Sequence, residues 1–233
     1  MIPAAGRGER YGGAVPKQLT SVCGQPLLRW TVKRFLDAGL TRITVALPGD
    51  LLSEASVRVL DDPNVTWIAG GSSRQQSVEA CLLAAPGADD DLVLVHDGAR
   101  PIVSHNDLQR VVDAAMEADG AVLGRRVSDT LKEVVDGAIV RTIERSRLFR
   151  AETPQVFKRE LLERALQQSR EDGFEGTDEA SLVERLPGVT IRVVEAIDPN
   201  PKLTVAADLS LIETLLSRLA SSEQTSAALD SAG

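Results

Sequence analysis

Four glycines fall within eight residues near the start of the chain, Gly6, Gly8, Gly12 and Gly13, and the segment closes on Pro16, Lys17 and Gln18. Glycine takes positive φ freely and puts no Cβ between the backbone and a ligand. Consecutive N–H groups in such a loop can turn inward and form an anion-binding concavity. Arg7, Arg10 and Lys17 add positive charge. A cationic loop poor in bulky side chains suits a polyphosphate. It is not a P-loop, because no GxxxxGK[ST] occurs, and Tyr11 stands where a dinucleotide fingerprint needs its third glycine. A plain structural turn is the competing reading, and Arg10, Lys17 and the backbone-fixing Pro16 weigh for the ligand.

Two later stretches could join that loop. Gly70-Gly71-Ser72-Ser73-Arg74-Gln75-Gln76-Ser77 lies where a strand hands over to a helix. Its N–H groups and hydroxyls would face the same edge, although a helix cap by Ser72 or Ser73 explains the serines equally well. His96-Asp97-Gly98-Ala99-Arg100-Pro101 follows the apolar run Leu92–Val95. A lone carboxylate such as Asp97 can hold Mg²⁺, which takes one or two carboxylates plus substrate phosphates. A turn bridge between Asp97 and Arg100 is the alternative. His96 reads as a packed or hydrogen-bonded histidine rather than a base. No His/Cys metal set and no supported Ser-His-Asp order appears. Arg145, Thr153-Pro154-Gln155, Thr177-Asp178-Glu179 and Asn200-Pro201-Lys202 are bland singly: a surface charge, a turn, a cap and a loop lysine.

The scaffold follows from pattern. Only Met1 and Ile2 precede Pro3, so the strand expected beneath the first loop is either a stub or continues upstream of Met1. A helix runs from Pro26 to Gly39, with proline in its first turn and glycine beyond its last. Strands are expected at 42–47, 65–69, 92–95 and 120–127, and helices at 51–60, 74–84 and 104–118. Such alternation predicts a parallel sheet with crossovers, and the Leu92–Val95 run reads as a strand buried on both faces. The period then changes: 131–135 and 139–143, joined by Asp136-Gly137, read as a β-hairpin. Helices near 160–169 and 177–185, a strand at 190–195 and a helix over 206–219 follow. The expected organisation is one domain over residues 1–220, with a projecting arm at about 128–147 and a flexible Ser/Ala-rich tail from 221 to 233.

Composition sets limits. The chain has 233 residues, 43% apolar but only 3% aromatic, so Val, Ile, Leu and Ala must fill its core. A net charge of −8 argues against nucleic acid or an anionic membrane as the main partner. Cys23 and Cys81 stand alone, as reduced thiols do in a cytoplasmic protein. No apolar run reaches transmembrane length and no signal peptide is recognised.

Seven segments, PAAGRGERYGGAVPKQ, GGSSRQQSV, VHDGARP, DTLK, ETPQVF, TDEAS and NPKLTVAADL, resemble in order and spacing those of the 2-C-methyl-D-erythritol 4-phosphate cytidylyltransferase family, over roughly residues 3 to 212. The resemblance implies an α/β fold: a Rossmann-like, mostly parallel twisted sheet flanked by helices, with the hairpin arm making a homodimer. It implies that a polyol phosphate attacks the α-phosphorus of CTP and expels pyrophosphate. Arg10, Lys17 and Lys202 would contact the reacting phosphates, and Asp97 would hold Mg²⁺. Gly71, Ser72 and Ser77, with the backbone of Ala4, Ala5, Gly6 and Gly8, would bind CTP. Arg100, Thr130, Arg145 and Thr177 would hold the methylerythritol phosphate, with Thr130 and Arg145 coming from the partner's arm. Three positions depart from the family pattern: Gly98 replaces an alanine and would loosen its turn, Ser72 stands where an acidic residue is common, and Pro201 stiffens the segment before Lys202. The nearest rival is a ribitol 5-phosphate cytidylyltransferase. A catalytically silent nucleotide-binding module is disfavoured by the joint presence of Arg10, Lys17, Asp97, Arg145 and Lys202.

Overall fold

A computed structural model describes residues 1–6, 16–52 and 60–230, with the backbone alone for 222–230. In chain order the elements are β1 (Ile2–Pro3), β2 (Ser21–Val22), β3 (Gln25–Pro26), α1 (Leu27–Asp37), β4 (Ile43–Leu47), β5 (Val65–Ala69), α2 (Arg74–Ala84), β6 (Leu92–Val95), α3 (His105–Met116), β7 (Gly120–Arg126), β8 (Leu131–Val135), β9 (Ala138–Ile143), β10 (Phe149–Lys158), α4 (Arg159–Asp172), α5 (Glu179–Val183), β11 (Ile191–Glu195) and α6 (Leu209–Asp230). Single 3₁₀ turns sit at Lys17–Leu19, Gly49–Leu51 and Ala206–Asp208.

Two sheets form the middle layer, one ordered β1-β4-β5 and the other β11-β7-β10-β6. They meet at Met1, whose amino group donates to Leu94 O at 2.7 Å and whose carbonyl accepts from His96 N at 3.0 Å. β1 is bonded to β4 on one side and, through Met1, to β6 on the other. β1, β4 and β5 run parallel, as do β7 and β11.

The parallel expectation needs one correction. β10 lies between β6 and β7 and is antiparallel to both. It contains Thr153-Pro154-Gln155, which by sequence reads as a turn. The Pro interrupts the apolar alternation, and the ladder with β7 shifts register between Ala151 and Gln155. Sheets exclude proline except at edges and irregularities, so the strand is hidden at the point where it bends.

Alternation along each strand divides the core. Val93, Val95, Val122 and Phe157 point to one face, where they meet Val78 and Leu82 of α2 and Leu162 and Leu166 of α4. Ile43, Val45 and Leu47 point to the other, against Leu28, Val32 and Phe35 of α1 and Leu108 of α3. Ala121, Leu123 and Val156 continue that second face against Val111 and Ala115 of α3. Helices thus cover both faces of the sheet layer, as a parallel sheet requires. α6 closes the structure through Ile212 and Leu216, which pack on Val22, Leu27, Ala99 and Leu203.

The hairpin stands where it was expected, with Asp136 at φ 50° and Gly137 at φ 79°. Two successive positive φ angles are what a tight hairpin turn matched to strand twist demands. In the Ser/Ala-rich stretch α6 continues as helix through Ser221 to Asp230. Alanine favours helix and the run contains neither glycine nor proline to stop it. The helix expected at 51–60 falls largely on residues outside the described ones; 49–51 form a 3₁₀ turn. No described helix is long and apolar enough to cross a membrane.

Gly120 opens β7 with no room for a side chain: a Cβ there would overlap the Phe157 ring and lie 2.9 Å from Val156 O. Gly120→Ala should therefore cost about 1–3 kcal/mol of stability. The urea midpoint should fall with the slope unchanged, and a wild-type midpoint would refute the close packing of β7 on β10.

Candidate active site

The edge of the sheet where β1, β5 and β6 end holds a cavity of about 550 Å³. Its wall includes Ala4, Ala5 and Gly6 from the first loop, Lys17 and Gln18 from the turn behind it, and Gly71 to Arg74 and Ser77 from the second. Asp97 and Gly98 follow from the end of β6, and Lys202 and Thr204 from the segment after β11. Segments far apart in sequence converge because their strands end at one edge, the place where open α/β sheets bind ligands.

Each loop is shaped by its own hydrogen bonds. Gln18 is 2% exposed, and its Nε2 donates to Ala4 O at 2.6 Å and Gly6 O at 3.0 Å. That tether places Lys17 beside the end of β1. In the second loop Ser73 caps α2, accepting from Gln76 N at 3.2 Å. Ser77 Oγ donates to Ser73 O at 2.9 Å and accepts from Gly71 N at 3.2 Å. Ser72 gives both its N–H and its hydroxyl to Gln76 Oε1, at 2.9 and 2.7 Å. The cap reading holds at Ser73, and the same loop lines the cavity. A Cβ on Gly70 would overlap that of Ala5, and one on Gly71 would overlap that of Gln76. Gly70 is what lets the first two loops touch, and Gly71 lets Gln76 fold back over its own loop.

Asp97 is the electrostatic centre. It is 7% exposed, and its backbone N–H donates to Thr153 Oγ1 at 3.0 Å. Arg74 Nε reaches Oδ1 at 3.2 Å, while Lys202 Nζ reaches Oδ2 at 2.7 Å and Arg100 Nε the same oxygen at 3.5 Å. Burial opposes ionisation, but Arg74, Lys202 and Arg100 outweigh it and hold the carboxyl well below the usual range. Gly98 does not loosen this turn, since Arg100 N still bonds Asp97 O at 3.0 Å. A Cβ at Gly98 would come within 2.9 Å of Ala4 Cβ, so glycine lets the turn seat against β1.

His96 is fully buried, edge-on to Phe35 at 4.8 Å between ring centroids. Its ring nitrogens meet Arg100 O at 2.9 Å and Thr153 Oγ1 at 3.2 Å. Burial pushes its pKa down to about 4, so it is a neutral packing residue.

Lys202 hangs on a strap behind β11. Asp107 in the first turn of α3 is 1% exposed, and its carboxylate accepts from Ile197 N and Asp198 N at 3.1 Å. Asn200 Nδ2 donates to Thr153 O at 2.7 Å, and Arg100 donates to Asn200 O at 2.7 Å.

Of the residues expected in the site, Ala4, Ala5, Gly6, Lys17, Gly71, Ser72, Ser77, Asp97 and Lys202 line the cavity together. Arg100 stands behind Asp97 rather than in the wall. Thr177 is exposed just before α5, and Thr130 and Arg145 are exposed at the base of the hairpin, where Arg145 donates to Ser128 O. None of these three lines the cavity. Gly8 and Arg10 lie outside the described residues.

Sequence reading gives no role to Gln18, Arg74 or Glu179. Arg74 stands in the quoted GGSSR run and Gln18 in PKQ, so their types are in view. Nothing local signals that Glu179, 1% exposed, grips Arg74 through both carboxylate oxygens at 2.5 and 2.9 Å. Burial pushes the Glu179 carboxyl up from its ordinary value, with Arg74 pulling against it.

Among the described residues no cluster of three His, Cys, Asp or Glu side chains could cage a metal. Asp97 alone fits Mg²⁺ only in company with phosphate oxygens, a normal donor set for that ion.

Comparison with known proteins points to one family. A model of the 2-C-methyl-D-erythritol 4-phosphate cytidylyltransferase family matches residues 1–218. The enzyme of that name from Symbiobacterium thermophilum is 43% identical over 218 residues, 93% of this chain and 91% of the relative. That from Aquifex aeolicus is 38% identical over 93% of this chain and 96% of its own length. The crystal structure of the Thermus thermophilus enzyme superposes with a TM-score of 0.77 at 37% identity, covering 92% of this chain and 96% of that one.

Replacing Arg74 tests the charge arrangement directly. Arg74→Met would strand the buried Glu179 carboxylate, and breaking a buried pair from one side costs about 3–5 kcal/mol. Chemical denaturation should show a loss of that size; a change below about 1 kcal/mol, the scale of an exposed pair, would mean that solvent reaches Glu179.

Proposed function

The chain belongs to the 2-C-methyl-D-erythritol 4-phosphate cytidylyltransferase family, and from that membership we propose that it transfers the cytidylyl group of CTP to 2-C-methyl-D-erythritol 4-phosphate. An oxygen of the acceptor's phosphate attacks the α-phosphorus, the bond to the β-phosphate oxygen breaks, and pyrophosphate leaves with the electron pair. The product is the CDP-alcohol, a step of the non-mevalonate route to isoprenoid precursors.

One observation carries the reading: Lys17, Lys202, Asp97 and the Gly71–Ser72 loop line one cavity. Such a reaction asks little covalent chemistry of the protein. It needs alignment, and cations placed where charge spreads over the phosphorus oxygens. Lys17 and Lys202 supply the cations, and by resemblance Arg10 joins them. The N–H groups of Gly71 and Ser72 are donors for the cytosine edge. Asp97, kept ionised by its neighbours, would hold Mg²⁺ with the triphosphate; that ion, when bound, would neutralise phosphate charge. Thr177 and Arg100 would serve the acceptor.

We propose also that the site is shared across a homodimer. Supporting this, the hairpin exposes the apolar side chains of Leu131, Val134, Val135, Ile139 and Val140, which a second copy could bury. Thr130 and Arg145 flank that hairpin and do not line their own chain's cavity. A cytoplasmic setting is supported by the two free cysteines, Cys23 and Cys81.

Purified protein with CTP and Mg²⁺ should convert methylerythritol phosphate faster than ribitol 5-phosphate; the reverse order would make it the ribitol enzyme. CTP and Mg²⁺ bound without pyrophosphate release from any polyol phosphate would make it a silent module. Lys17→Ala should lower turnover about 10²–10³-fold, about 2.7–4 kcal/mol, the scale of one lost transition-state donor. A near-wild-type rate would remove Lys17 from the mechanism.

Subunit mixing tests the shared site. Lys17→Ala and Arg145→Ala homodimers should each be impaired. With free exchange half the dimers are mixed, each holding one intact site of two, so about a quarter of the activity should return. No recovery would place Arg145 and Lys17 in sites that do not cross the dimer.

A further inference from the structure

Glu179 does not line the cavity, yet it governs a residue that does. Its carboxylate takes both terminal nitrogens of Arg74, fork on fork, at 2.5 and 2.9 Å. A paired contact of this kind fixes the plane of the guanidinium as well as its position. The remaining nitrogen, Nε, is thereby aimed at Asp97 Oδ1, 3.2 Å away.

The segment around Glu179 is held from two other directions. Gln75 Oε1, one residue from Arg74, accepts from Gly176 N at 3.0 Å. Gln155 on β10 donates from Nε2 to Asp178 Oδ2 at 2.8 Å and accepts from Ala180 N at 3.0 Å. Residues 176–180 are thus bolted to the start of α2 and to β10, and Thr177 lies among them. Glu179 thus connects this segment to the Arg74 guanidinium.

We propose that Glu179 is a positioning residue for cytidylyl transfer: through Arg74 it sets the orientation of Asp97 in the nucleotide pocket and ties that setting to the segment carrying Thr177. The inference rests on the transfer reaction proposed above. The bland alternative is that Glu179 only neutralises a buried arginine. A single-point contact would satisfy that need; the two-point grip and the adjoining clamps exceed it.

Glu179→Gln keeps the size of the side chain and removes its charge and one acceptor. CTP binding, followed by calorimetry, should weaken about 10–100-fold in Mg²⁺, the usual penalty for removing a group that orients a ligating carboxylate, and should be unchanged in EDTA. Equal weakening in both buffers would mean general damage to the pocket and would overturn the proposal. Arg74→Met and the double variant complete a cycle. If Glu179 acts through Arg74, the double variant binds CTP in Mg²⁺ no worse than Arg74→Met alone; losses that multiply would overturn it. Should Glu179→Gln fail to fold, Glu179→Asp serves. It still neutralises Arg74 but is one methylene too short to keep the fork and the segment together, so wild-type CTP affinity in Mg²⁺ would leave neutralisation as its whole role. Because binding is read without turnover, a wild-type protein that binds CTP but transfers nothing would sink the reaction reading and leave this test intact.

Discussion

A carboxylate that must stay charged while nearly buried is the constraint from which the site follows. Asp97 follows β6 and lines the cavity, and burial alone would push its proton back on. Three cations prevent that, each from a different part of the chain: Arg74 from the start of α2, Arg100 from the turn after β6, and Lys202 from the segment after β11. Each cation in turn has its own tether. Glu179 holds Arg74, the carbonyl of Asn200 holds Arg100, and Asp107 holds the strap that carries Lys202. The sheet's role is to bring these ends to one edge; the charge network fixes them there.

The loops that would face the nucleotide are already satisfied internally. Gly71 N–H is bonded to Ser77 Oγ, and Ser72 N–H and hydroxyl to Gln76 Oε1. A base arriving at these donors exchanges one acceptor for another, so the net gain per hydrogen bond is small. Discrimination at this edge must come from fit, which the glycine-enforced contact between Gly70 and Ala5 makes rigid. Gln76 is the side chain that has to yield.

Much of this is legible from one sequence, for identifiable reasons. The helices α1, α2 and α3 carry proline, serine caps and helical apolar spacing, and the hairpin carries Asp136-Gly137 between alternating strands. Lys17, Asp97 and the Gly71–Ser72 loop are legible because they stand in glycine-containing segments between expected strands and helices, whereas Lys202, a bland loop lysine by itself, is assigned by resemblance. β10 is not, because Pro154 sits where the strand bends and no local pattern reports that a chain segment will insert between two others. Glu179 is not, because burial and pairing are properties of the whole fold: a Thr-Asp-Glu triplet looks like any helix start. Arg145 and Thr130 are assigned by resemblance alone, and a single chain does not bring them to the cavity.

Asp107 illustrates how far the site's dependencies extend. It belongs to the first turn of α3, is hidden from solvent, and does not itself line the pocket. Yet its bonds to Ile197 and Asp198 suspend the strap that delivers Lys202. Natural variation at this helix end would therefore reach the enzyme as well as the fold, since the same carboxylate pairs with Arg110 and suspends the strap. A survey that sorted positions by distance from the nucleotide would file it among the indifferent ones.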